Sequence, residues 1–393
     1  MADIQCQICD ARSWDSMPDP VESASVTTSA RIVPEPLGKS ICRECGVVQR
    51  TGAPFLGTGS FYEEEYASYY ERPGTERFHA KRYQQLVEWM GAHLHPQFKF
   101  ERVLDVGCGQ GWAMDAMASR YPGISVSGVE PSRHNSAIAR AKGYEVIETR
   151  IGDTAVGGKF DFIYSNNVLQ HVNDPRGFLS DIAELLDNDG VIMVTCPDGA
   201  RPNIELFFCD HNFSFLPHNL ADIADTLGFR TVAWSSSRLN PALPPAQMLL
   251  LTNNRLYEDR DSLESDTGPR DIDASTSERR RYIDSARHLR NYLSEQTAGS
   301  AHVYNFGASF WTSVLAAYCP EYWSRVKGCL VDSRDSTVAF MDKPIVAVEE
   351  IPSDGEATIV LGTSPATHDS LIDRFADGGA KHRVFGWNSY FSY

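Results

Sequence analysis

The stretch that most constrains this chain is Val103-Leu104-Asp105-Val106-Gly107-Cys108-Gly109-Gln110-Gly111. A short apolar strand runs into three glycines at alternate positions, and a helix is expected from about Trp112 to Arg120. The first turn of a Rossmann-like sheet needs glycines where the backbone bends tightly and must approach a ligand closely. The spacing, Asp-x-Gly-x-Gly-x-Gly, is not that of a dinucleotide fingerprint. Downstream, strands are expected at Ile124–Val129, Tyr144–Thr149, Phe160–Tyr164 and Gly190–Thr195, with helices at Ser132–Lys142 and Phe178–Leu186. This rhythm predicts an α/β fold, a largely parallel sheet with helices on both faces.

At 393 residues the chain exceeds what one compact core usually holds. The reading divides it into residues 1–75, a small irregular module; 76–256, the α/β domain closed by strands at Thr231–Trp234 and Gln247–Thr252; 257–277, a polar linker; and 278–393. The last part shows strand, glycine turn and helix again at Val303–Ser309 and 310–318, with strands at Gly328–Val331 and Thr358–Leu361, and reads as a smaller Rossmann-like α/β domain. An amphipathic helix is expected at 80–94, and the aromatic, acidic stretch 60–72 is expected to be helical.

Fifty-two acidic against 36 basic residues leave a formal charge of −16, which argues against nucleic acid or an anionic membrane as the main partner. Met1–Gln5 has no basic or apolar export leader, and no apolar run reaches the length of a bilayer span, so a cytoplasmic location is expected.

Four of the nine cysteines form two Cys-x-x-Cys knuckles, Cys6 with Cys9 and Cys42 with Cys45. Two such knuckles are a standard layout for structural zinc with four thiolates and no open position. Cys108, Cys196, Cys209, Cys319 and Cys329 are scattered and read as small buried hydrophobes.

Glu130 stands where the second strand ends, 25 residues after Asp105. A carboxylate there can accept hydrogen bonds from ribose hydroxyls. Past the fifth strand lies Phe207-Phe208-Cys209-Asp210-His211-Asn212-Phe213-Ser214-Phe215-Leu216, over the carboxyl edge of the sheet. His211 is a candidate general base with Asp210 as its neighbour, although a structural histidine is the competing reading. Arg77 and His79 could contact substrate, with surface positions the favoured reading.

The glycine turn, Glu130 and the segment Phe160–Val172, with its Asn166-Asn167, resemble class I methyltransferases that use S-adenosylmethionine (SAM). The resemblance implies SAM contacts at Asp105, Gly107, Gly109, Gly111, Glu130, Asp153, Asn166 and Asn167. Gln170 stands where the family usually has an acid. Zinc knuckles, SAM domain and C-terminal unit together resemble the sugar C-methyltransferases acting on nucleotide-linked 4-keto-deoxysugars, a likeness carried also by Tyr304–Ser309, Asp332 and Pro344-Ile345. That family's active loop reads Tyr-x-Glu-His, with His as base. Here the aligned residues are Phe208, Asp210 and His211, and Asn240–Pro245 replaces a Gly-Gly-Ser. The family also places aromatics over SAM, a role open to Phe61, Tyr62, Tyr66, Tyr69 and Tyr70. The resemblance implies methyl transfer to a nucleotide-linked sugar or related small molecule. An O- or N-methyltransferase of a natural-product or cell-envelope sugar, and an inactive SAM- or nucleotide-binding scaffold, stay open beside it.

Overall fold

The structure is a computed structural model that describes residues 4–52, 61–66, 76–153, 156–237, 245–259, 271–332, 339–351, 356–377 and 382–391. Tyr69, Tyr70, residues 240–244 and most of the expected linker lie outside them.

The N-terminal part is built of short strands: β1 (Trp14–Ser16), β2 (Ser25–Val26), β3 (Ile32–Val33), β4 (Lys39–Cys42) and β5 (Val48–Arg50). β2 and β3 form a separate hairpin, while β1, β4 and β5 make an antiparallel sheet. A π-helical turn at Phe61–Glu65 occupies part of the stretch expected to be helical.

The central part opens with α1 (Glu76–His93), followed by β6 (Arg102–Val106), α2 (Trp112–Arg120), β7 (Ser125–Val129), α3 (Arg133–Ala141), β8 (Glu145–Ile147), β9 (Phe160–Asn166), α4 (Pro175–Leu185) and β10 (Leu186–Pro197). Then come β11 (Phe213–Ser214), α5 (Pro217–Thr226), β12 (Arg230–Ser237) and β13 (Ala246–Thr252). Seven strands form one sheet in the order β12-β13-β10-β9-β6-β7-β8. The β8–β10 side is parallel, and β13 enters antiparallel to β10 and β12. Its strands bury both faces: Leu104, Ile163 and Val194 pack on one side, Val103, Phe162 and Met193 on the other. Near-continuous apolar runs in β6, β9 and β10 follow from that double coverage. The strand order reverses between β6 and β9, so the carboxyl ends there diverge and leave a crevice.

The C-terminal part contains α6 (Ile272–Thr297), β14 (Val303–Phe306), α7 (Phe310–Tyr318), α8 (Pro320–Arg325), β15 (Val326–Val331), β16 (Ala339–Phe340), β17 (Lys343–Ala347), β18 (Thr358–Leu361), α9 (His368–Asp377) and β19 (Arg383–Phe385). Its sheet runs β16-β17-β15-β14-β18-β19, parallel except at the β16 edge. α6 begins at Ile272, where a linker to residue 277 was expected. Asp271 caps it by accepting from the Ala274 N–H at 2.8 Å, and an Asx cap outweighs the polar composition of that turn.

One pairing crosses the expected boundary at residue 75. β11, which follows His211, hydrogen-bonds to β5 and becomes the fourth strand of the N-terminal sheet. Ile204 and Leu206 to Cys209 pack in a single apolar cluster with Val26 and Ile41 from the N-terminal part and with Tyr282, Trp311 and Tyr318 from the C-terminal part. All five scattered cysteines are buried. No helix among the described residues is long and apolar enough to cross a membrane.

Candidate active site

A cavity of about 620 Å³ opens where β6, β7, β9 and β10 end, and its wall draws on all three parts: Thr28, the central sheet, and Phe310 at the start of α7. Gly107 and Gly109 line it, with φ of +80° and +53°. Glu130 lines it as well; its two oxygens accept from the N–H groups of Gly109 and Ser132, at 2.9 and 2.8 Å. The glycine loop and the acid therefore hold each other in place. Burial pushes the Glu130 carboxyl up to about 7, against the pull of those two N–H groups. Asn166, Asn167 and Asp153 complete this end. Thr195 Oγ1 donates to Asn166 Oδ1, and Asn166 Nδ2 donates to the Tyr83 hydroxyl at 3.4 Å.

Two residues expected at the cofactor stand behind the wall. Asp105 is 1% exposed and lies beside Tyr164, on the face of β6 opposite Leu104 and Val106; burial raises its carboxyl well above the usual range. Gly111 is the N-cap of α2, and a Cβ there would sit 3.3 Å from Ala139, so its place is set by helix packing. His79, read as a surface residue, is instead 1% exposed and stacked on Trp112 at 5.6 Å. Its helix turns that edge inward, whereas Arg77 is exposed.

At the other end of the cavity stand His171, His211, Phe208, Glu205 and Tyr62. The two imidazoles meet edge to face at 4.7 Å. His171 Nδ1 donates to the Asp210 carbonyl at 2.8 Å, which by the hydrogen-bond network makes Nε2 the basic nitrogen. His211 Nδ1 lies 3.5 Å from Glu205 Oε2, and neither atom has another partner. The other Glu205 oxygen accepts from Ser214 Oγ. Burial holds both histidines below their usual value, His211 well below, so both are neutral near pH 7. Burial also raises the Tyr62 hydroxyl well above its usual value, so it stays protonated; it lies 3.3 Å from His171 Nδ1.

Asp210 is not the acid that faces His211. Its fully buried carboxylate accepts from the Thr28 N–H at 2.9 Å and from the Thr28 hydroxyl. Neighbours in a tight turn point to different sides, so the acid adjacent in sequence is not the one nearest the His211 Nδ1. Of the residues grouped around His211, His171 lies within the segment Phe160–Val172 and Tyr62 within the aromatic stretch read above, whereas Glu205 and Thr28 carry no sequence signal. Gln170 is buried, and its amide donates to the Asn167 carbonyl at 2.9 Å, a bond a carboxylate could not make.

The sulfurs of Cys6, Cys9, Cys42 and Cys45 lie within 4.8 Å of one another, with Cys6–Cys45 at 3.7 Å and Cys9–Cys42 at 3.6 Å. A tetrahedral zinc with Zn–S bonds of about 2.3 Å sets sulfurs about 3.8 Å apart, so the donor set fits. Outside it, His218 and Asn219 at the start of α5 donate to the Cys45 carbonyl at 2.9 and 2.8 Å. Arg279 of α6 donates to the carbonyls of Gly46 and Gly199, at 2.5 and 2.8 Å.

Residues 75–233 match a family model described as "Methyltransferase domain". Among curated proteins, the chain is 33% identical over 105 residues to a trans-aconitate 2-methyltransferase of Deinococcus radiodurans, covering 26% of this chain and 41% of that one. It is 35% identical over 100 residues to a ubiquinone biosynthesis O-methyltransferase of Rhizobium johnstonii, covering 24% and 40%. These matches span less than half of the relatives' own length. A solved plantazolicin methyltransferase bound to S-adenosylhomocysteine (SAH) is similar at 13% identity, with a TM-score of 0.40 over 50% of this chain and 94% of that one. The family match falls on the stretch that carries the glycine loop, Glu130 and Asn166, and makes residues 75–233 a class I SAM-dependent methyltransferase domain.

Proposed function

We propose that the protein transfers the methyl of SAM to a carbon beside the ketone of a nucleotide-linked keto-sugar or a related small molecule, with His211 as general base. The supporting observation is a single cavity that joins the Gly107–Glu130 end to a pair of neutral, buried histidines. Bound SAM supplies an electrophilic methyl. Glu130 receives the ribose hydroxyls, and the backbone at Gly107 and Gly109 admits the methionyl part. The acidic lining, Glu130, Asp153, Asp174, Asp181 and Glu205, suits a sulfonium cation.

Such an acceptor needs a base and a donor. His211, oriented by Glu205, takes the proton from the carbon through Nε2; the freed electron pair forms the new carbon–methyl bond as the methyl–sulfur bond breaks, its pair leaving on the sulfur of SAH. The oxyanion that develops on the carbonyl needs a hydrogen-bond donor. Phe208 offers none, but the protonated Tyr62 hydroxyl is within the same group. The cysteine cluster takes a structural zinc.

O-methylation is the second reading. Phe208 is harmless if the acceptor is a hydroxyl, and a relative is named as an O-methyltransferase. The deciding experiment supplies SAM with a panel of nucleotide-linked 4-keto sugars and measures SAH and product mass. A C-methylated product, with turnover falling roughly 10²- to 10⁴-fold in His211→Ala while SAH still binds, supports the reading. An O-methyl product moves the assignment to the second reading, and SAH binding without turnover on any acceptor moves it to a scaffold.

A further inference from the structure

Each Cys-x-x-Cys knuckle is held by an arginine from another part of the chain, and the two arginines differ in what balances their charge. At the first knuckle, Arg176 of α4 donates to the Ile8 carbonyl and pairs with the Asp10 carboxylate at 3.0 Å. At the second, Arg279 of α6 donates to the Gly46 carbonyl at 2.5 Å and, through Nε, to the Gly199 carbonyl at 2.8 Å. Arg279 is fully buried, its Nη2 has no hydrogen-bond partner, and no carboxylate among the described residues lies within ion-pair distance of it. Glu205, Asp198 and Glu278 act on it only from further off. Glu205 is engaged by Ser214, and Asp198 by Ser236. Two neutral carbonyls do not balance a guanidinium withdrawn from water, so a buried anion is required nearby.

That anion stands one residue before Gly46. Zinc held by four thiolates is a net dianion, and Cys45, one of the four, acts on Arg279 with an attractive field. α6 also packs directly on this knuckle. Gly46 has φ of +69°, and a Cβ there would stand 2.7 Å from Leu216 and 3.4 Å from Ile272, about two turns before Arg279 on the same helix. About one turn after Arg279, Tyr282 packs on Phe207 with ring centroids 5.5 Å apart, on the segment that leads to His211. Resting on the zinc reading above, we propose that Arg279 is the counter-charge of the zinc–thiolate centre, so that metal binding docks α6 behind the loop of His211.

The test measures the zinc affinity of the full-length protein by competition with a chromophoric chelator. Arg279→Gln can still donate to the Gly46 carbonyl but carries no charge, whereas Arg279→Lys keeps the charge and loses the fork. Leu289→Ala, at a buried position of the same helix, loosens packing with no change of charge. Arg279→Gln is expected to weaken zinc roughly 10- to 100-fold, with Arg279→Lys recovering most of the loss and Leu289→Ala leaving the affinity unchanged. Equal weakening by Gln and Lys, or by Leu289→Ala and Gln, overturns the proposal and makes Arg279 a packing strut. Unchanged affinity in Arg279→Gln overturns it too. Hydrogen exchange of the wild type needs no variant to fold: removing zinc should raise exchange in residues 272–283, and unaltered exchange there overturns the proposal. Wild-type protein that binds no zinc overturns the zinc reading and this assignment together, so the two failures are distinguishable.

Discussion

Glu130 is ionised at a cost, because the fold buries it and only two backbone N–H groups offset the loss of water. If Glu130 is the ribose ligand, as proposed, its carboxyl, pushed up to about 7, should make SAM binding sensitive to pH. The ionised form would accept from two ribose hydroxyls, and protonation would remove an acceptor. Affinity must therefore rise with pH through about 7 and fall below it. Between pH 8 and pH 6, SAH binding should weaken about tenfold, one pH unit on the protonated side of the transition. Calorimetry at the two pH values checks this, with Glu130→Gln as the variant whose affinity should be lower and flat. A wild-type affinity equally flat would show that the carboxylate is not the ribose ligand. At the same scale, Glu205→Gln should lower turnover about 10- to 100-fold with SAH affinity unchanged, because a neutral amide orients the His211 imidazole less firmly.

The turn between β6 and α2 works as an element because its glycines satisfy two demands at once. Gly107 has φ of +80°, and a Cβ there would stand 2.3 Å from Val168 Cγ2, on the loop that leaves β9. Backbone hand and neighbouring element both forbid a side chain. Gly123, between α2 and β7, also has positive φ, at +96°, but nothing lies within 4 Å of its would-be Cβ. Gly123→Ala should cost about 1–2 kcal/mol, the left-handed penalty alone. Gly107→Ala should cost about 2–4 kcal/mol, because overpacking against Val168 adds to it. Thermal or denaturant unfolding of the pair separates the contributions. Equal costs would mean that the β9 loop yields freely and that the turn is less tightly enclosed than its contacts indicate.

For the whole molecule, the segment bearing Glu205 and His211 is held mainly from outside the domain it belongs to. Lys39 donates to the carbonyls of Glu205 and Leu206, at 3.4 and 3.1 Å, and Arg50 to that of Cys209 at 3.2 Å. Thr28 holds Asp210, β5 pairs with β11, and Tyr318 of α7 donates to the Phe207 carbonyl at 2.6 Å. The strands doing this work flank Cys42 and Cys45. If the cysteine cluster holds zinc, chelation should raise hydrogen exchange in residues 39–50 and 204–215 together and abolish turnover. SAH affinity should change only a few-fold if, as proposed, its ligands are those of the central sheet. Exchange confined to residues 4–50 would show that the loop stands without the zinc-binding part.

The chain alone determined whatever depends on neighbours in sequence. The apolar runs of β6, β9 and β10, the helix α2 and the glycines before it are local patterns, and they marked the α/β fold and the residues Gly107, Gly109, Glu130 and Asn166 that line one end of the cavity. The two Cys-x-x-Cys knuckles were legible for the same reason: each pair sits on one short turn. What the tertiary structure alone decided is the chemistry at the other end. Asp210 stands next to His211 in sequence and so looks like its partner, yet it bonds to Thr28, 182 residues away. Glu205 and Tyr62 come to the cavity from a 3₁₀ turn and an aromatic segment, and no periodicity links them to His211. Their meeting depends on a strand of the central part pairing with the N-terminal sheet and on α6 and α7 packing behind it. Those are long-range contacts, and neither residue type nor spacing specifies them before the chain has folded.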